Sequence, residues 1–406
     1  MKKKIMAAVI AGASLLSVMG GISAAPQFSD VNGHWGKDQI EFALAEGYVD
    51  GYPDGTFRPE QNVTRAEFMK LVIDALKFKK QDEPGKDWYA PYVTSAVANG
   101  IHLADEFSAD HMNDPITREE MARIAVRATG EANYDVKKWM YLATSKGIIN
   151  GMDDAGTLGP EQPTTRAQAI TVIRRIMKIR EGASLPKDKY AISAAEVYWH
   201  KTNVITMLPR YFSRVVKGER FRDELLEQTG QNVSCSVEKY VVVDMDDPND
   251  PNRSLVPDDL QWMDTDGEYH DIAGNNYILV SKQTTYIKSY PQDAYYVTSC
   301  RVAFMERLYD DTGILKANGF AYDSAPLGTY TLNNKGKKTQ KYSNRIVGKP
   351  GEEIIEVKTS FEILPKGKLI SPLVQSDVFR IGFYENDVPS PKLIYDGRIN
   401  EAYNGD

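Results

Sequence analysis

Apolar residues recur at helical spacing in three successive stretches near the start of this chain, and at alternate positions through much of the rest. In the first stretch Trp35, Ile40, Phe42, Ala43 and Leu44 run up to Gly47, which stands where a left-handed C-terminal glycine ends a helix. A loop from Tyr48 to Pro59, punctuated by Asp54-Gly55, leads to a second helix carrying Phe68, Leu71, Val72, Ala75 and Leu76 on one face. The plan returns with Trp88, Val93, Ala96, Val97 and Gly100, followed by Met121, Ile124, Ala125 and Ala128. It returns again with Trp139, Leu142, Ala143 and Gly147, followed by Ile170, Val172, Ile173 and Ile176. Each second helix opens on one phrase: Thr64-Arg65-Ala66-Glu67, Thr117-Arg118-Glu119-Glu120 and Thr165-Arg166-Ala167-Gln168, at Thr-to-Thr intervals of 53 and 48 residues. Thr followed three residues later by Glu or Gln is a capping box, so three helix N-termini are predicted, each with an Arg in its first turn. A period of this length marks a unit that cannot bury its own apolar face and stacks on copies of itself.

After Gly182 the pattern changes. Residues 183–188 read as a short linker, and period-two alternation follows. Ile355, Val357, Thr359, Phe361 and Ile363 form the apolar side of a half-buried strand whose other side is Glu356, Lys358, Ser360 and Glu362. Further strands are predicted at Val237–Val243, Tyr277–Val280, Tyr295–Leu308, Phe379–Phe383 and Leu393–Tyr395, with one helical patch near Phe221–Gln228. The expected architecture is therefore two-domain, α plus β: helical units at 28–80, 81–131 and 132–181, a linker at 182–189, and a mostly β, sandwich-like domain at 190–406.

The N-terminus sets the compartment. Lys2-Lys3-Lys4, an apolar run from Ile5 to about Ile22, and Ser23-Ala24-Ala25 read as a secretory signal peptide within residues 1–25, cleaved after Ala24 or Ala25. No later stretch approaches the length of a membrane span. The net charge is −7, and losing the leader lysines makes the chain more acidic, a poor match for nucleic acid or anionic membrane. Cys235 and Cys300 are the only two cysteines; in an exported chain they are expected to pair.

Residues 28–180 resemble the S-layer homology family, the wall-anchoring modules of Gram-positive surface proteins. The resemblance rests on Phe28-Ser29-Asp30-Val31, His34-Trp35, Gly47, Gly51, Asp54-Gly55-Thr56-Phe57, Pro59 and the recurring Thr-Arg phrase. It implies a pseudo-threefold helical domain of three modules, whose grooves bind pyruvylated secondary cell-wall polysaccharide without a covalent bond. The residues it would place at the glycan are Arg65, Arg118, Arg166, Asp30, Trp35, Trp88, Gly47, Gly51, Gly100, Gly147 and Gly151. That assignment makes chemical sense. A ketal carboxylate suits a helix N-terminus carrying an Arg fork, glycines allow a sugar close to the backbone, and an indole can stack on a pyranose. Arg65 is expected to matter most. The second copy has Ala104 in place of Gly51 and lacks the Asp-Gly-Thr-Phe turn, and the third has Asp135 where Trp35 and Trp88 align. His34 reads as a capping or packing residue, His102 and His111 as loop residues.

The second half resembles no family and offers little chemistry. It holds His200 and His270 but no nucleophile elbow, zinc-protease helix or P-loop. Asp244, Asp246, Asp247, Asn249 and Asp250 hold side-chain oxygens that could take calcium, though Pro248 and Pro251 break the spacing and a solvated turn is the expectation, as it is for Asp264, Asp266 and Glu268. No metal or cofactor is expected. Two readings remain open: a non-enzymatic surface protein displaying a β-rich structural or interaction domain, through which it could self-assemble or hold partners, and a wall-tethered carbohydrate hydrolase with its site in that domain.

Overall fold

A computed structural model describes residues 28–84, 86–133, 135–212, most of 214–292, residues 345–366 and a set of further strands up to Arg398. The expected signal peptide lies outside the described residues. Among those described, no helix is long and apolar enough to cross a membrane.

The N-terminal part is helical: α1 (Lys37–Glu46), α2 (Arg65–Ala75), α3 (Ala90–Ala98), α4 (Arg118–Ala128), α5 (Trp139–Ser145) and α6 (Arg166–Arg180). α2, α4 and α6 each begin with a complete capping box at Thr64, Thr117 and Thr165. The segments before these Thr residues lock together. The N–H of Val63 donates to Thr164 O, that of Thr164 to Ile116 O and that of Ile116 to Val63 O, each at 2.9 Å, a closed ring of three backbone bonds. One apolar core runs from Phe28 to Ala195 through all three copies.

That core does not stop at the predicted linker. The chain after α6 turns into α7 (Lys189–His200), whose Ala191 and Ala195 are completely buried in the helical core. Sequence reading placed a β-rich region from residue 190 and no helix here. Alternation and helical spacing are hard to separate in Ala-Ile-Ser-Ala-Ala, and the helix is stabilised by Asp188, whose side chain accepts the Ala191 N–H at 3.0 Å.

Two larger antiparallel sheets follow, beside three two-stranded pairings among the described residues. Six strands run in the order Lys338–Gln340, Thr329–Leu332, Ile354–Pro365, Asn276–Ile287, Val233–Asp244 and Glu227–Thr229. Four more run Arg214–Val215, Lys392–Arg398, Val378–Tyr384 and Arg301–Phe304. Within the expected helical patch, Asp223–Leu226 is a single 3-10 turn and Glu227–Thr229 is an edge strand. The strand at Ile354–Pro365 also corrects the expected face. Ile355 is 52% exposed, whereas Lys358, Ser360 and Glu362 are buried, Glu362 accepting a bond from Tyr240 Oη at 3.2 Å. Both faces of its second half are covered, so alternation no longer separates inside from outside. Cys235 is disulfide-bonded; Cys300, the chain's other cysteine, lies outside the described residues, as do Asp264, Asp266 and Glu268.

Candidate functional site: an arginine groove between the helical copies

The three first-turn arginines occupy equivalent positions and meet different surroundings. The ring closure places each helix N-terminus against the loop of another copy. The N–H groups of Arg65 and Ala66 donate to Asp114 O and Met112 O, those of Arg118 and Glu119 to Gln162 O and Pro160 O, and those of Arg166 and Ala167 to Gln61 O and Pro59 O, all at 2.9–3.1 Å. The capping Thr residues take the next N–H. The expected anion site on free N-terminal N–H groups is thereby overturned: carbonyl oxygens already satisfy those donors, and only side chains remain for a ligand.

Arg65 is not available either. Its Nη2 lies 2.8 Å from Glu120 Oε1, its Nε 3.1 Å from both Glu120 oxygens, and its Nη1 2.9 Å from His111 O and 3.4 Å from Asp114. Glu120 also closes the capping box of α4, so the acid in the first turn of the second copy neutralises the arginine of the first. Arg166 donates to Phe57 O and Asp50 O at 3.1 Å, with its guanidinium 4.6 Å from the Phe57 ring centroid and 5.1 Å from that of Tyr52.

Arg118 differs from both. It is 5% exposed, donates from Nε to Leu158 O at 2.7 Å and from Nη2 to Asn150 O at 2.9 Å, and meets no carboxylate among the described residues. Burial pulls its pKa down. It lines a cavity of about 370 Å³, within the size range of small-ligand sites of about 300–1,000 Å³. The wall opposite includes Gln168, Thr171 and Arg175 of α6, with Asn150 and Gly151 from the loop between. Arg175 is likewise pulled down by burial and, among the described residues, donates only to Ile148 O, at 3.0 Å. Trp35, 60% exposed, stands at the rim. Two desolvated guanidiniums held only by carbonyl dipoles carry an uncompensated positive charge, because Arg does not neutralise at physiological pH. Arg175 is the residue that sequence reading missed: it lies mid-helix, outside the repeated phrase, and no local signal separates it from a surface arginine.

The other expected residues have structural duties. Asp30 accepts the N–H of Phe57 and of Arg58 at 2.9 and 2.7 Å; burial works to raise its pKa, but these two bonds hold it below the usual carboxylate range. It brackets the loop rather than the groove. Gly51 is close-packed on Phe28, where a Cβ would fall 2.0 Å from a ring carbon. Gly47, Gly100 and Gly147 take left-handed φ values of 74°, 68° and 70° that end α1, α3 and α5. Gly151 lines the groove, and its N–H donates to Asp188 at 3.0 Å. Trp88 is 51% exposed beside Tyr89 and Tyr92. His34 accepts the N–H of Gly36, the residue just before α1, at 2.9 Å. His102 sits in a loop as expected but is buried, 5.0 Å from Phe107 and 3.0 Å from Glu106. In the β region Asp244 and Asp246 are joined by Lys366 and Asp247 by Tyr190; among the described residues no cluster has the makings of a metal site.

The S-layer homology domain model matches residues 27–69 and 137–170, two of the three copies. The chain is 42% identical over 57 residues to a cellulosome-anchoring protein of Acetivibrio thermocellus, covering 14% of this chain and 13% of that one. It is 26% identical over 200 residues to the surface-layer 125 kDa protein of Lysinibacillus sphaericus (43% and 17%), and 30% identical over 177 residues to an amylopullulanase of Thermoanaerobacterium thermosulfurigenes (37% and 9%). The matches span under a fifth of each of these relatives and lie in the helical region. Repeat, capping boxes and family match agree: the helical region carries S-layer homology domain matches, and the relatives it resembles are surface and anchoring proteins and hydrolases that share that region.

Proposed function

We propose that the chain is exported by its leader and held non-covalently at a Gram-positive-type cell wall by three S-layer homology modules, residues 81–131 being the second. The ligand is a pyruvylated wall polysaccharide, one ketal carboxylate seated on Arg118 and Arg175 with Trp35 against the sugar. The ring of backbone bonds between Val63, Ile116 and Thr164 supports the three-module, pseudo-threefold reading. The observation that carries the ligand reading is Arg118 itself: a residue 5% exposed, lining a cavity and meeting no carboxylate among the described residues. The β-rich region, its two sheets packed as a sandwich, serves as a displayed structural or interaction domain and not as a hydrolase. Co-sedimentation of the full chain with purified walls tests this. Binding should fall sharply for Arg118→Gln and for walls stripped of pyruvate by mild acid. Undiminished binding in both cases would refute it. Turnover of wall glycan abolished by one carboxylate substitution in the β region would replace the non-enzymatic reading with the hydrolase one.

A further inference from the structure

The Arg118 cavity does not end at Arg175. A second cavity of about 160 Å³ shares Asn150, Thr171 and Arg175 with it and continues along α6 past Arg174 and Lys178. Its far wall is the segment after α6, Leu185 and Pro186. That wall is built into the fold: Gly147 is left-handed, and a Cβ there would stand 2.5 Å from Pro186 O and 2.9 Å from Leu185 Cβ. Asp188 then ties the same segment to Gly151.

The charge in this extension is unbalanced. Arg174 donates from Nη1 to Gln39 Oε1 at 2.6 Å and to Asp38 O at 3.4 Å, and lies 4.3 Å from the Phe42 ring centroid. Its Nε is buried without a hydrogen-bond partner, as is Asn150 Oδ1. Neither Arg174, Arg175 nor Lys178 pairs with a carboxylate among the described residues, and neither cavity is lined by one. A basic helix end would account for Lys178 by the helix dipole, as it does for Arg180, which donates to Ala128 O at 2.9 Å. It does not account for Arg174 and Arg175, more than a turn further in, nor for the unpartnered buried donor of Arg174 and acceptor of Asn150, two residues that line the same cavity.

We propose that the groove carries a second anion subsite, formed by Arg174 and Lys178 against Leu185 and Pro186, so that the chain reads two acidic groups along one glycan strand. This rests on the reading of the Arg118 groove as a glycan site. The second anion is a carboxylate or a phosphodiester, and the segment after the third module belongs to the binding surface.

The test compares the full chain with R118Q, K178E and R174Q/K178Q variants on two probes: purified wall polysaccharide and a single sugar bearing one pyruvyl ketal. The double variant should lose at least tenfold in affinity for the polysaccharide and a much smaller factor for the single sugar, whereas R118Q should lose on both. K178E, at the exposed rim where folding is not at stake, should lose at least threefold on the polysaccharide. Removing ketals with mild acid, or phosphate with hydrofluoric acid, identifies the second anion by which treatment abolishes the difference between wild type and K178E. If R118Q loses binding while the double variant and K178E bind polysaccharide like wild type, or if the double variant loses equally on both probes, the second subsite is wrong. If R118Q also binds normally, the glycan reading itself falls.

Discussion

Arg65 and Arg118 hold the same place in the same phrase, yet one is closed and the other open. Both follow a capping Thr, and both have their backbone N–H groups taken by another copy's loop. The difference comes from the groups opposite each side chain. Arg65 faces the second copy, where Glu120 and Asp114 supply carboxylates and Phe107 lies 5.1 Å under the guanidinium. Arg118 faces the third copy, which presents carbonyls, Gly151 and a second arginine. A repeated motif thus determines where an arginine points, and the neighbouring copy determines whether it has charge to offer.

The strongest way to break this comparison is the pair of substitutions it separates. Arg118→Gln should weaken wall binding by about 1.5–3 kcal/mol, the worth of a charge-assisted hydrogen bond, roughly 10- to 150-fold, with little change in thermal stability. Arg65→Ala should do the reverse. It leaves Glu120 without its fork and should cost about 2 kcal/mol of stability in urea titration, while wall binding changes less than about threefold. If Arg65→Ala is the variant that loses the wall, the closed and open assignments are interchanged.

A smaller effect sharpens the role of the cap. Thr117→Ala removes the side chain that accepts the Glu120 N–H and should cost about 1 kcal/mol. Because the Arg118 and Glu119 N–H groups keep their carbonyl partners, the groove should persist and binding should be close to wild type.

The smallest effect is confined to acid. In the second copy, burial would raise the pKa of Glu106, but His102, Arg127 and the Leu103 N–H overcome it and hold the carboxyl well below the ordinary glutamate value of about 4.5. A depressed folded pKa means that this stabilisation is fully present above about pH 4.5 and is lost as pH falls further. Melting temperature should therefore decline more steeply below that pH in the wild type than in Glu106→Gln. Parallel curves would show that the cluster carries no net stability.

Much of the helical region was legible because capping and helical periodicity are local. Thr64, Thr117 and Thr165 cap through residues three positions away, and Gly47, Gly100 and Gly147 end helices through their own φ. Strand positions in the β region were legible for the same reason. Which face is buried was not, since Lys358 and Ser360 are covered by the rest of the domain, which no alternation within one strand records. Nor was α7, whose buried alanines have meaning only against the third copy.

By itself, then, the sequence determined three capped helices, each with an arginine in its first turn, and a change to strands. Each is encoded within a few residues. Tertiary structure alone decided which arginine's charge is paired with a carboxylate. Arg118 and Arg175 are 57 positions apart, and Arg65 and Glu120 are 55. Whether a guanidinium meets a carboxylate or a cavity depends on how the copies close on one another, because Coulomb interactions and desolvation act across space and not along the chain.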